Sequence, residues 1–374
     1  MKRIHLISGL FLAGCTAQPM WPTTSINPVP VQEHPTLAES LRRHSVDGTA
    51  PYRLAVFGDQ RALADGEFQA LVQSIADREA SLTDDPPLVA IIDTGDIVDN
   101  GKHADQFAML RDVLQPLRQW PYLVAVGNHE LDQDLNYEGR RNFTTFMGAA
   151  PGPLFGEKRL WYRLDAPGLR LIFLDTNQWV YLRDGTLPEH QQEQLAWLSA
   201  QMSEDFDGAT IVAMHHPLVI SNKKHRTMAA ELWSLKWSEQ VIAGMIAPGT
   251  DLVLTGHTHT YERYRLAAPG GDSFHLVNVS GRPRDSFLWF GDGARRAQDI
   301  HGRELDFLGR AGWSREDLEG WSVQQLDAMT DKDSEANQWV EITVAPDGSL
   351  SAEAFYLVDL GAGGYRSGGK FVID

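Results

Sequence analysis

The chain has 374 residues, is 43% hydrophobic and 22% charged, and carries a formal net charge of −17 with a sequence pI near 5.1. That length and apolar content suit one large α/β domain or two smaller ones, while the acidic field repels phosphate backbones, so no nucleic-acid partner is expected. A single cysteine excludes an internal disulfide and a cysteine-based structural zinc site.

Met1-Lys2-Arg3 opens the chain, a short apolar stretch runs from Ile4 to Leu12, and Leu12-Ala13-Gly14-Cys15 closes it. This order is similar to a bacterial lipoprotein signal peptide over residues 1–14, cleaved before Cys15, with lipid on the Cys15 thiol. The apolar stretch is too short to span a bilayer as a mature helix. The resemblance implies a cell-envelope protein held to the membrane only by its lipid. Thr16, a non-aspartate, permits outer-membrane sorting, facing the periplasm. The other reading of Cys15 is a buried free thiol. Pro19, Pro22, Pro28, Pro30 and Pro35 make residues 15–50 an extended tether, interrupted at most by a short amphipathic turn at 37–43.

From Pro51 the pattern alternates. Strands are predicted at 52–57, 88–92 and 122–126, and helices at 67–80 and 103–117, an order that makes neighbouring strands parallel with helices on their faces. Residues 160–164 and 169–174, separated by Ala166-Pro167-Gly168, predict a hairpin, so the sheet is mixed or doubled. A helix at 191–202, strands at 210–214 and 252–254, a helix at 229–246 and a strand at 275–279 follow. Residues 281–336 break the pattern and read as an insertion over the open end of the sheet, with one helix at 314–329. Trp289, Trp313 and Trp321 within it are either core or lid. Residues 339–344 and 350–358, joined by Pro346-Asp347-Gly348, predict a closing β-hairpin.

Five of the predicted strands end in the same grammar: a β-like run, a small residue, then a side chain of metal-ligand type. They are Phe57-Gly58-Asp59, Thr94-Gly95-Asp96, Val126-Gly127-Asn128-His129-Glu130, Val212-Ala213-Met214-His215-His216 and Thr255-Gly256-His257-Thr258-His259. Open α/β sheets bind ligands at such strand ends, and these residue types suit two hard or borderline cations.

Taken in order, the five stretches resemble the motifs of the calcineurin-like metallophosphoesterase superfamily, and the continuation Gly256-His257-Thr258-His259-Thr260-Tyr261-Glu262-Arg263 is especially similar to purple acid phosphatases. The resemblance covers about residues 53 to 265. It implies a metallophosphoesterase sandwich of mixed β-sheets flanked by helices, with residues 51–374 as the domain. It implies a bridging Asp96, one metal on Asp59, Asp96 and His259, and another on Asp96, Asn128, His215 and His257. The ions are two divalent or trivalent metals, iron, manganese or zinc. By the same resemblance a hydroxide activated by them attacks phosphorus, His129 faces the leaving oxygen, and Asp99 orients His129.

Two positions depart from the family. Arg61 stands where many members have a histidine, and Asp99 where purple acid phosphatases have a tyrosine, so no purple colour is expected and the first metal lacks its fourth protein ligand. Gln60, Asp99 or water fills that gap, or the site binds its metal weakly. Arg61 either binds substrate phosphate or pairs with Asp59 or Asp96. His225, ten residues after His215, either contacts substrate or is simply solvated, as are Lys223-Lys224 beside it. His216 reads as a neighbour of the ligands, and Glu130 and Arg263 as supporting residues. The function implied is metal-dependent hydrolysis of a small phosphate ester at a binuclear centre, with monoesters favoured over diesters on the strength of the Tyr-Glu-Arg extension. The alternative is a non-catalytic or mononuclear phosphoryl-ligand-binding module on the same scaffold.

Overall fold

The structure is a computed structural model that describes residues 34–61, 66–131, 137–148, 155–156, 158–180, 189–218, 246–259, 261–268, 271–279, 322–328, 337–359 and 364–374. Its elements run α1 (Leu37–Arg43), β1 (Tyr52–Phe57), α2 (Glu67–Ser81), β2 (Leu88–Asp93), α3 (Ala104–Val113), a 3-10 turn (Gln115–Leu117) and β3 (Tyr122–Val124). Then come α4 (Tyr137–Met147), β4 (Tyr162–Ala166), β5 (Leu169–Leu174), α5 (Asn177–Val180), α6 (Glu189–Met202), β6 (Ala209–Met214) and β7 (Leu252–Thr255). β8 (Tyr261–Ala267), β9 (Ser273–Val279), β10 (Ser322–Ala328), β11 (Gln338–Val344), β12 (Leu350–Asp359) and β13 (Gly364–Ile373) complete the described chain.

Two mixed sheets result. One is ordered β13-β12-β11-β1-β2-β3 and the other β10-β8-β9-β7-β6-β5-β4. The first has a parallel half, β1-β2-β3, running to its β3 edge, and an antiparallel half through β11, β12 and β13; the second has a parallel centre, β5-β6-β7-β9, with antiparallel edges. Period-two alternation explains the layering. Leu54, Val56, Ile92, Val340 and Ile342 meet Leu171, Phe173, Ile211, Leu254 and Val277 between the sheets. Ala55, Phe57 and Ile91 face outward onto Phe68, Leu71 and Ile75 of α2 and Phe107 and Leu110 of α3. Ile172, Val212 and Leu276 pack outward in a third cluster with Leu198 of α6. The central strands are buried on both faces, which is why they read as unbroken apolar runs.

Several sequence expectations change. The tether does not extend to residue 50: α1 begins with a capping box at Thr36 and Glu39, buries Leu37 and Leu41 in the inter-sheet core, and donates from Ser40 Oγ to the Val89 carbonyl at 2.7 Å. The helix expected at 103–117 stops at Val113, and Pro116 turns the rest into a 3-10 turn. Residues 322–328, expected to be helical, form β10 on the free edge of β8. The closing hairpin is a three-stranded meander, because β13 pairs along β12. The helix expected at 229–246, nearly all of the 281–336 insertion except β10, and residues 1–33 with Cys15 lie outside the described residues.

Candidate metal centre

The carboxyl ends of the parallel strands converge at one mouth. Asp59 follows β1, Asp96 follows β2, Asn128 and His129 follow β3, His215 and His216 follow β6, and His257 and His259 follow β7. Among the described residues six non-glycine positions have positive φ, and five of them are Asp59, Arg61, Asp96, His257 and His259. Left-handed backbone is costly for side chains with a Cβ and collects at functional sites. Here it turns each strand end back so that its side chain enters the mouth. Close approach of the loops needs glycine: a Cβ on Gly95 (φ +100) would lie 2.4 Å from the Ala125 carbonyl and 2.9 Å from His215 Nδ1. A Cβ on Gly127 would meet Asp96 Oδ1 at 2.3 Å.

The ligand-type atoms gather into two abutting clusters that share Asp96. In one, His215 Nε2 lies 3.1 Å from His257 Nδ1, 3.2 Å from Asn128 Oδ1 and 3.3 Å from Asp96 Oδ1, and His257 Nδ1 lies 3.0 Å from Asn128 Oδ1. Ligands about 2.1 Å from one tetrahedral ion are spaced roughly 3.4 Å apart, so the set fits a metal. The other cluster brings single ligand atoms of Asp59, Asp96 and His259 within 4.8 Å of one another, with His259 Nε2 3.7 Å from Asp59 Oδ1. Asp96 Oδ2 is buried and accepts no hydrogen bond, as an oxygen kept for a cation would be. The donor set of carboxylates, imidazoles and one neutral amide suits zinc, manganese or iron.

The surrounding bonds orient these groups. His215 Nδ1 lies 2.8 Å from the Thr94 carbonyl, which requires an N–H there and turns Nε2 toward the cluster. The Asp59 carboxylate accepts from the His257 N–H at 2.8 Å, tying the β1 and β7 loops together across the two sheets. Burial works against ionisation of Asp96, yet His129, His215 and Arg61 more than offset it and hold its carboxyl well below the usual range. Burial likewise works against a charged His215, but Asp96, with help from Asp59, pushes it up to about 9. The two carboxylates therefore favour positive charge at His215, a place that a proton or a metal ion would take.

His129 stands on the rim, its N–H on Asp96 Oδ1 at 2.9 Å and its Nε2 3.7 Å from Asp96 Oδ2. Asp99 meets it, though not in the expected way. The short contact, 2.5 Å, is from His129 Nδ1 to the Asp99 backbone carbonyl, while the half-exposed carboxylate stays 4.0 Å away. Arg61 enters the cluster of Asp59, Asp96 and His259, the first in chain order, its Nη2 3.0 Å from His259 Nε2 and 3.6 Å from Asp96 Oδ2. His216 is more intimate than a mere neighbour: one of its nitrogens lies within 4.8 Å of ligand atoms of His215 and His257, and Nδ1 bonds the Thr176 hydroxyl at 2.8 Å. His225 lies outside the described residues.

One support was expected from the sequence and a second escaped it. Glu130, buried, accepts from the N–H groups of Gly127 at 2.7 Å, Asp96 at 2.9 Å and Val98 at 3.2 Å, clamping the β2 and β3 loops, and burial with Asp96 nearby raises it to about 7. Asp175-Thr176-Asn177 follows β5 as a sixth strand end, where Asn177 donates to the Val126 carbonyl at 3.1 Å. The run Leu169–Leu174 ending in Asp-Thr-Asn was the available signal. Arg263, by contrast, lies in β8 over the Phe371 ring, and Glu262 accepts from Tyr264 and Asn278, so this part of the Tyr-Glu-Arg extension is committed to the sheet.

A model described as calcineurin-like phosphoesterase matches residues 52–261, which span all five motifs. Glycerophosphodiester phosphodiesterase GpdQ of Enterobacter lignolyticus (strain SCF1) is 30% identical over 183 residues, 48% of this chain and 59% of that protein. Purple acid phosphatase 21 of Arabidopsis thaliana is 26% identical over 200 residues, 50% of this chain and 41% of its own length. The chain thus spans about half the length of these curated relatives. In three dimensions, a purple acid phosphatase from yellow lupin (Lupinus luteus) seeds aligns with a TM-score of 0.54 at 17% identity, covering 87% of this chain and 54% of the other, which is a likeness of fold.

Proposed function

Because the chain belongs to the calcineurin-like phosphoesterase family, we propose that its mouth hydrolyses phosphate esters with the help of bound metal ions. The observation that carries this reading is the gathering of six ligand-type side chains, from strands of both sheets, into two clusters that share Asp96. Asp59, Asp96 and His259 would hold one ion, and Asp96, Asn128, His215 and His257 the other. When bound, the ions supply Lewis-acid neutralisation of the charge developing on the phosphoryl oxygens and acidify the attacking water.

The chain's own residues do the rest. With Nδ1–H donated to the Asp99 carbonyl, His129 presents Nε2 at the rim, from which the protonated ring would donate to the departing oxygen. Glu130 and the Thr94 carbonyl hold the loops and the His215 ring in register. The preference for monoesters rests on Arg61 and a protonable His129, which suit the extra charge of a monoester dianion. Comparing p-nitrophenyl phosphate with bis-p-nitrophenyl phosphate as substrates tests that preference directly.

The decisive variant is His129→Ala, assayed for turnover on p-nitrophenyl phosphate and for metal content by elemental analysis. A loss of about 10²–10⁴ in turnover with metal retained is expected; unchanged turnover overturns the assigned role. The same proposal lodges the chain in the bacterial envelope, on the outer membrane facing the periplasm, through lipid on Cys15. Detergent-phase partitioning that is lost in Cys15→Ser would support that anchor, and partitioning unaffected by the substitution would rule it out. Among the described residues no helix is long and apolar enough to cross a membrane.

A further inference from the structure

The first cluster already contains a cation of the chain's own. Arg61 sits two residues beyond Asp59 on left-handed backbone, φ +52, with its N–H on the Asp96 carbonyl at 2.9 Å. That turn sends the guanidinium inward, where Nη2 lies 3.0 Å from His259 Nε2 and 3.6 Å from Asp96 Oδ2, with the side chain only 13% exposed. A guanidinium has donors and no acceptor, and it keeps its charge at any pH a folded protein meets. His259 must therefore accept through Nε2, so the contact takes up the lone pair with which that nitrogen would ligate a metal. An ion seated among Asp59, Asp96 and His259 competes with a fixed positive charge for the same two acceptor atoms. The second cluster is built differently: His215 Nε2, His257 Nδ1, Asn128 Oδ1 and Asp96 Oδ1 face one another at 3.0–3.3 Å.

We propose that Arg61 is a built-in competitor for the first metal position, so that the two halves of the centre fill unequally. The second cluster fills first and tightly; the first fills only by displacing the guanidinium. This rests on the metallophosphoesterase reading above and adds that the centre is asymmetric by construction.

The test is a titration of the metal-stripped full-length chain with Mn²⁺ by calorimetry, with stoichiometry by equilibrium dialysis, beside Arg61→Asn, Arg61→His and Arg61→Lys. Asn tolerates left-handed backbone while removing the charge, His replaces the cation with a ligand, and Lys keeps the charge. The wild type is expected to show one tight site and one weaker by at least about tenfold. Arg61→Asn and Arg61→His should tighten the weak site on the order of ten- to a hundredfold and leave the tight one nearly unmoved, while Arg61→Lys keeps the inequality. One detectable site in the wild type that becomes two in Arg61→His is the same result in extreme form. Two equal sites in the wild type, or a weak site unmoved in both neutral variants, overturns the proposal and leaves the phosphoesterase reading standing. No Mn²⁺ bound by any of the proteins overturns both. The wild-type isotherm needs no variant, so a substitution that fails to fold does not shield the proposal.

Discussion

Two groups of buried charges can be set side by side in this molecule. On the outer face of the first sheet, Arg53 donates to Glu341 at 2.7 Å and pairs with Glu79 at 2.8 Å, while Arg78 grips Glu341 through two nitrogens at 2.7 and 3.1 Å and lies over the Phe355 ring. Two guanidinium groups answer two carboxylates, and Trp339 Nε1 adds a further donor to Glu341 at 3.2 Å. At the mouth, Asp59 and Asp96 are ringed by imidazoles and an amide, Arg61 is the nearby guanidinium, and Asp96 Oδ2 accepts no hydrogen bond. Five left-handed non-glycine residues lie at the mouth; Arg53, Arg78, Glu79 and Glu341 are not among such positions. Burial of charge is common to both groups. What separates structural from functional is whether the charges are already answered and whether the backbone is strained to bring them together.

Asp96→Ala should show the largest effect. It removes the group both clusters share, so metal content should fall at both positions and turnover by more than about a hundredfold. The metal-free variant should also melt somewhat lower, because His215, Arg61 and the His129 N–H lose their common carboxylate; metal content left intact would make Asp96 structural and break the contrast. Glu341→Ala should do the reverse. It leaves Arg53 and Arg78 buried without their common partner and should cost about 3–5 kcal/mol in urea unfolding, with metal content per folded chain unchanged.

Gly127→Ala tests the packing that joins the two properties. Its new Cβ would meet Asp96 Oδ1 at 2.3 Å and the Asp96 nitrogen at 2.4 Å, so the loops must separate. A loss of about 1–3 kcal/mol together with weaker metal binding is expected; lost stability with metal affinity intact would show that the loop spacing does not set the site. The smallest effect belongs to Asp99→Asn. The His129 ring rests on the Asp99 backbone carbonyl, which the substitution keeps, and the carboxylate is 46% exposed at 4.0 Å. Turnover should stay within about fivefold of wild type, as for a screened surface pair. A hundredfold loss would return the orienting role to the carboxylate.

Much of this was legible from the sequence because the signals were local. An apolar run followed by a small residue and a ligand-type side chain specifies a buried strand and what stands at its end, and strand alternation with helices implies parallel order, so the convergence of Asp59, Asp96, Asn128, His215, His257 and His259 was visible in outline. Residues whose state depends on a distant partner were not legible. Residues 314–329 have spacing compatible with a helix, yet 322–328 pair with the open edge of β8, a hydrogen-bonding template that no local window contains. Gly364–Ile373, glycine-containing and largely exposed, looks like nothing until β12 offers it a ladder. At the site, the motifs and the family resemblance pointed to the candidate ligands, but only the packed loops decided that the Asp99 carbonyl meets the His129 ring, that Glu130 clamps three N–H groups, and that Arg61 reaches His259 across 198 positions of sequence. The physical reason is one of range: side-chain chemistry and strand periodicity are properties of a few consecutive residues, whereas hydrogen-bond partners and charge balance are settled by atoms that meet only when the two sheets close.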